Sequence, residues 1–278
     1  MQARGGGLRV LFIADVMGKP GRWIVSQLLR DLKTERNIDF TICNVENAAG
    51  GFGITREMAK KIFAYGVDVQ TTGNHVWDRE DLREFLVANN RILRPANFPS
   101  GCPGTGMCVE KLPDGRLIAV MDLQGRVYIK AIDCPFKTAD GELTMIGKGT
   151  NIVIVDIHAE TTSEKMALAY YLDGRVSAVI GTHTHVQTAD ERILPRGTAY
   201  ISDAGMTGPF DSIIGMKHEA AIKRFLTGMP YKFTPATGDI RMQGVVLDID
   251  DQTGKAINIE RFTVSAPVNT GPLSNEED

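Results

Sequence analysis

Eight residues of this chain carry groups suited to phosphate chemistry: Asp15, Glu46, Asn47, Asn74, His75, His158, His183 and His185. Carboxylate and amide oxygens combined with neutral imidazoles suit Fe, Mn, Zn or Co, whereas an all-oxygen cage favours Mg or Ca and a thiolate cage favours Zn or an iron–sulfur cluster. The chain has 5 histidines, and only His218 stands outside this set. One such histidine would ordinarily be a satisfied core or surface residue; four in step with Asp, Glu and Asn point to a metal site. Seven of the residues, Asp15, Glu46, Asn47, Asn74, His158, His183 and His185, exceed what one ion with an open position takes. They are enough for two ions that share a bridging carboxylate. Paired ions about 3.5–4 Å apart clamp a phosphoryl group and lower the pKa of a bridging water.

The elements that must position these residues follow from the hydrophobic pattern. Short β-branched runs alternate with amphipathic stretches, as in a sheet covered on both faces. Arg9 to Ala14 reads as a buried strand, Gly18 to Gly21 as a turn, and Ile24, Val25, Leu28, Leu29 and Leu32 as one stripe of a helix ending near Arg36. A strand from Phe40 to Val45, a glycine-rich loop at 50–53 and a helix from about Thr55 come next, with Gly66 as its stop. The strand from Val67 to Thr72 runs into Gly73-Asn74-His75, and a helix from about Arg79 turns Leu82, Phe85 and Leu86 inward.

Irregular loop is expected from Arg94 to Gly106, then a strand from Leu117 to Leu123. The strand Asn151 to Ile157 precedes Thr161-Thr162-Ser163-Glu164, a capping-box arrangement that should start a helix ending at Gly174. Strands Ala178 to Ile180 and Ala199 to Ser202, and a C-terminal pair at Gly244 to Ile249 and Ile257 to Val264, complete the pattern. The chemical residues all fall just past strand ends, where sheets of this kind gather their sites. The expected architecture is an α/β sandwich with some antiparallel strands. No repeat or linker divides it, so we expect a flexible extension at 1–7, one domain over 8–266 and an acidic tail at 267–278.

Composition narrows the partners. With 31 Lys plus Arg against 34 Asp plus Glu, the formal charge of -3 supplies no broad positive field for non-specific nucleic-acid binding. A small phosphorylated substrate stays open. No apolar run approaches a membrane span, and the run from Leu8 to Ala14 contains Arg9 and is no signal peptide. The four cysteines have no Cys-x-x-Cys spacing; Cys43 falls inside a strand and Cys102, Cys108 and Cys134 in expected loops, which suggests reduced thiols and a cytoplasmic location.

Weaker candidates surround the main set. Arg94 or Arg126 would offer a fork of donors to a phosphate, against the alternative of packing or surface roles. The Gly50 to Gly53 loop is no P-loop, since Ile54-Thr55 follows it. Ser163 near Asp156 and His158 invites a serine-triad reading, but helix capping explains it better.

Asp15 with Gly18, Glu46-Asn47, Gly73-Asn74-His75, His158 and Gly181-Thr182-His183-Thr184-His185 resemble the ordered blocks of the calcineurin-like metallophosphoesterases. The variants are those of the bacterial YmdB-type family, described as 2′,3′-cyclic-nucleotide phosphodiesterases. The stretches Arg94 to Pro99, Leu123 to Arg126 and Asp203 to Pro209 fit the same family, and the resemblance runs from about Leu8 to Val264. Two departures from the wider superfamily stand out: Met17 replaces the histidine of Asp-x-His, and Glu46-Asn47 replaces Gly-Asp-x-x-Asp. The YmdB-type family shares both, so its first metal site has one imidazole fewer.

The resemblance implies a metallophosphoesterase-type β-sandwich of mixed sheets flanked by helices. It implies that Asp15, Glu46, Asn47 and His185 hold one transition-metal ion while Glu46, Asn74, His158 and His183 hold the other, with iron foremost and manganese or zinc as alternatives. A metal-bound hydroxide would attack phosphorus in line and His75 would protonate the departing ribose oxygen; the bland reading of His75 is a hydrogen-bonding neighbour of the ligands. Homo-oligomers are expected too; Phe210, Ile213 and Ile214, in the loop-like segment from Met206 to Met216, read either as a self-association surface or as part of the core. Two other functions stay open: a broad-specificity phosphoesterase, and a regulatory protein that binds metal or nucleotide with little turnover.

Overall fold

The computed structural model describes residues 7–266. Gly7 is the first residue of a strand; the rest of the expected extension, 1–6, and the expected tail, 267–278, lie outside the described residues.

Strand β1 (Gly7–Ile13) leads through the short β2 (Asp15–Val16) to helix α1 (Gly18–Glu35). Gly18 to Gly21, expected as a turn, is instead the first turn of α1. Pro20 fits there because the first N–H groups of a helix have no intrahelical acceptor to lose. The chain continues as β3 (Phe40–Asn44), α2 (Arg56–Ala64), β4 (Val69–Thr71) and α3 (Leu82–Ala88). Thr55 caps α2 by accepting from the Met58 N–H. The loop expected from Arg94 is present, and Arg94 itself is a packing residue: its buried guanidinium donates to the carbonyls of Pro95 and Pro103 and holds that loop together.

The second half runs β5 (Met107–Lys111), β6 (Leu117–Gln124), α4 (Pro135–Ile146), β7 (Val153–His158), α5 (Thr162–Leu172) and β8 (Ala178–Thr182). It closes with β9 (Arg192–Ile193), β10 (Ala199–Ile201), β11 (Met206–Pro209), α6 (His218–Thr227), β12 (Ile240–Asp250) and β13 (Ala256–Ser265). Cys108 therefore lies in β5 and Cys134 at the N-cap of α4, not in loops. The capping box at Thr161 is not formed. Thr161 makes no side-chain cap, and Glu164 instead accepts the backbone N–H groups of Arg126 and Val127, because those donors outcompete the helix's own start.

Two mixed sheets result. One follows the order β2-β11-β12-β1-β3-β4, with β13 also on β12; the other follows β5-β6-β7-β8-β10-β9. Side chains alternate across each strand, so Leu8, Val10 and Phe12 of β1 join Ile118, Val120, Ile154 and Ile180 in the core between the sheets. Leu11 and Ile13 face the opposite way, onto Ile24, Val25 and Leu29 of α1. On the other sheet Val153, Val155 and Ile157 pack against Leu168 and Leu172 of α5. This is an α/β sandwich of mixed sheets flanked by helices. Since β1, β3 and β4 are parallel, and β6, β7 and β8 are parallel, each group delivers its carboxyl ends to one edge.

Candidate metal centre

Ligand-type atoms of Glu46, His158 and His183 lie within 4.8 Å of one another. Glu46 follows β3, His158 ends β7, and His183 follows β8, so two different sheets supply the cluster. Glycine is required behind it: a Cβ at Gly73 would collide with Glu46 Oε2 and the ring of His158.

The hydrogen bonds fix the state of His158. Thr182 Oγ1 donates to Asp156 Oδ1 at 2.7 Å, so at 2.9 Å it accepts from His158 Nδ1–H. The Nε2 lone pair of the neutral ring then points at Glu46 Oε1, 2.7 Å away, and at His183 Nδ1, 2.9 Å away. The Glu46 carboxylate oxygen and the His158 lone pair converge on one point, which only a cation can reconcile. Without a metal that cation is a proton. Burial alone would lower the His158 value, but the adjacent Glu46 carboxylate raises it to about 9. Burial likewise opposes ionisation of Glu46, yet His158 holds it down to about 2, and burial together with the His158 charge depresses His183 to about 3.

Other expected ligands surround the cluster. Asp15 is fully buried, Oδ2 accepts the His183 N–H at 2.9 Å, and burial raises its pKa. Its Oδ1 and the Oδ1 of Asn74 are buried without a hydrogen-bond partner. Buried acceptors without a hydrogen-bond partner on two of the expected ligands fit a cation close to them. His185 donates from Nδ1 to the Ile214 carbonyl at 2.9 Å, which turns the Nε2 lone pair toward Asn47, whose amide nitrogen is 3.0 Å away. Among the described residues, Glu46, His158 and His183 form the cluster of ligand-type atoms, a donor set of imidazole and carboxylate that suits a transition metal.

His183 and His185 both adopt positive φ, 99° and 64°, a region L-residues rarely occupy. Asp203 supports that strained turn by accepting from both the N–H and Oγ1 of Thr184. Fully buried Lys165 of α5 neutralises Asp203 at 2.9 Å. Neither Lys165 nor the Asp156–Thr182 pair was singled out as a ligand support in the sequence. The available signal was position: Asp156 lies two residues before His158, on the same face of β7.

His75 stands at the rim. Its Nδ1 is 2.8 Å from Asp78 Oδ2, and its ring meets Phe52 edge-on, with centroids 5.2 Å apart. Arg79 holds the carbonyls of Ala49 and Phe52, so the 50–53 loop is braced from beneath. Arg126 is exposed, with its guanidinium 3.5 Å from Cys134 Sγ. Ser163 takes no part; the Asp156 oxygens serve Asn44, Thr71 and Thr182.

A cavity of about 400 Å³ opens above Glu46, Asn47, His75, His183 and His185. This falls within the range of small-molecule sites, roughly 300–1,000 Å³. Among the described residues no helix is long and apolar enough to cross a membrane.

Comparison with known proteins identifies relatives along most of the chain. A family model described as YmdB-like protein matches residues 11–262. The chain is 50% identical over 258 residues to a protein of Bacillus subtilis (strain 168) named 2′,3′-cyclic-nucleotide 2′-phosphodiesterase, covering 93% of this chain and 97% of the relative. A crystal structure of a hypothetical protein from Thermus thermophilus superposes with a TM-score of 0.86 at 40% identity, covering 94% of this chain and 100% of that one. A crystal structure described as a novel phosphatase from Mycoplasma pneumoniae gives a TM-score of 0.87 at 33% identity, covering 93% and 94%.

Proposed function

The chain belongs to the YmdB-like protein family, and from that premise we propose that it is a two-metal phosphodiesterase that opens 2′,3′-cyclic nucleotides at the 2′ bond, leaving a 3′-phosphate. The observation that carries the reading is the convergence of Glu46 Oε1, His158 Nε2 and His183 Nδ1, with the His158 tautomer fixed from behind by Thr182. Glu46, Asn74, His158 and His183 would hold one ion, and Asp15, Glu46, Asn47 and His185 the other. Iron is the leading candidate, with manganese or zinc as alternatives. When bound, the ions supply Lewis acidity toward the phosphate and activate a water for in-line attack.

The chain's own residues do the rest. Glu46 would be shared by the two ions and would carry negative charge into an imidazole-rich centre. Asp156 and Thr182 keep the His158 ring turned so that its lone pair faces inward. His75, oriented through Nδ1 by Asp78, presents Nε2 to the departing O2′ and protonates it as the P–O2′ bond breaks. A homo-oligomeric, cytoplasmic enzyme completes the proposal.

Elemental analysis of the purified protein, paired with hydrolysis of 2′,3′-cyclic AMP, tests it. We expect close to two equivalents of transition metal and turnover in the wild type, both lost in Glu46→Ala. Two bound ions with no cleavage of any phosphodiester or monoester would instead favour a metal-dependent binding protein.

A further inference from the structure

Helix α6 forms part of the cavity wall, although nothing in its sequence marks it as part of a metal site. Ala221, Arg224 and Phe225 line the cavity, and their spacing of i, i+3 and i+4 places them on one helix face. Ile222 and Leu226, also exposed, do not line it. Phe225 as a residue is 85% exposed although it borders the cavity, which leaves its side chain open to a ligand. Phe52 lines the same cavity beside His75.

The Arg224 guanidinium is held over the ring of Phe233, with Cζ 5.3 Å from the centroid. Other parts of the wall, Met17, Ile213, Ile214 and Met216, are aliphatic or thioether and carry no side-chain N–H or O–H donor. A wall of this kind reads a flat aromatic surface by stacking, since it has few groups with which to read a base edge.

We propose that α6 is the nucleoside-recognition element of the site: Phe225 stacks on the base of the substrate while Arg224 meets a phosphate oxygen, giving selectivity for nucleotides with little preference among bases. This rests on the reading of the site as a cyclic-nucleotide phosphodiesterase. Stacking serves any base because each has a π-face, whereas edge recognition would need fixed donors and acceptors. The guanidinium contact is common to all substrates, so the two residues act on separable parts of the ligand.

The test compares wild type, Phe225→Ala, Phe225→Trp and Arg224→Ala on 2′,3′-cyclic AMP and on methyl riboside 2′,3′-cyclic phosphate, which lacks the base. Phe225→Ala should raise KM for the nucleotide about tenfold, the effect of losing one base–aromatic stack, with kcat and the base-free substrate almost unchanged. Phe225→Trp should restore KM, and Arg224→Ala should raise KM for both substrates. Equal losses on both substrates with Phe225→Ala would overturn the proposal. So would an unchanged KM accompanied by a change in oligomeric state, which would assign the ring to a second copy of the chain. Calorimetric binding of adenosine 3′-phosphate separates the two readings. Tight wild-type binding that Phe225→Ala weakens about tenfold supports the stack even if no turnover is seen. Equal binding by both proteins, with 2′,3′-cyclic AMP still hydrolysed, refutes the stack and leaves the proposed reaction standing.

Discussion

Thr182 accepts a hydrogen bond from the Nδ1–H of His158 across 2.9 Å and donates its own to Asp156, so a threonine outside the proposed ligand set decides which nitrogen of the ring faces the centre. Thr182→Val keeps the shape and removes the acceptor. We expect about a 10–100-fold loss of metal affinity, with Thr182→Ser close to wild type. Competition with a chelator of known affinity measures it.

His75 is expected to act on the leaving group and not on the metals. His75→Ala should lower kcat on 2′,3′-cyclic AMP by about 100-fold or more while metal content stays at the wild-type level. A diester with a p-nitrophenolate leaving group needs no proton, so its hydrolysis should be much less affected. Asp78→Asn should weaken catalysis in the same substrate-dependent sense. Parallel loss on both substrates would return His75 to a supporting role.

Metal binding should strengthen with pH in a definite window. In the metal-free centre the His158 value is raised to about 9 by Glu46, against burial, so at neutral pH the ring carries a proton that a metal must displace. Affinity should therefore fall about tenfold for each pH unit below 9 and level off above it. Titrations from pH 6 to 9 in buffers of different ionisation enthalpy measure both the slope and the proton released. A flat profile would mean that His158 is not displaced.

Lys165→Met removes one partner of a pair in which both side chains are almost fully buried, leaving the Asp203 charge uncompensated. Stability should drop by about 3–5 kcal/mol in denaturant unfolding. Asp203 also holds Thr184 between the two strained histidines, so metal content should fall in the same variant even where it remains folded.

The sequence by itself determined the main strands and which polar residues stand at their ends. Residues such as Asp15, Glu46, Asn74 and His158 end short apolar runs, and a parallel sheet must bring such ends to one edge. The cluster of Glu46, His158 and His183 was legible because it depends on residue type and local period. Local pattern did not reveal β5, α4 or α6. The exposed apolar residues of α6 blur its amphipathic stripe, and whether Phe225 faces a cavity depends on where the chain places that helix.

Only the tertiary structure decided the rest. Thr161 and Glu164 had the spacing of a capping box, but the backbone donors at Arg126 and Val127, 38 and 37 residues away, took the carboxylate instead. Lys165 looked like an ordinary helix lysine until α5 packed it against Asp203, 38 residues distant. Sequence fixes what a side chain can do within its own turn or strand. Which lone pair, charge or ring face meets the substrate is set by partners far along the chain, since hydrogen bonding and packing act through space.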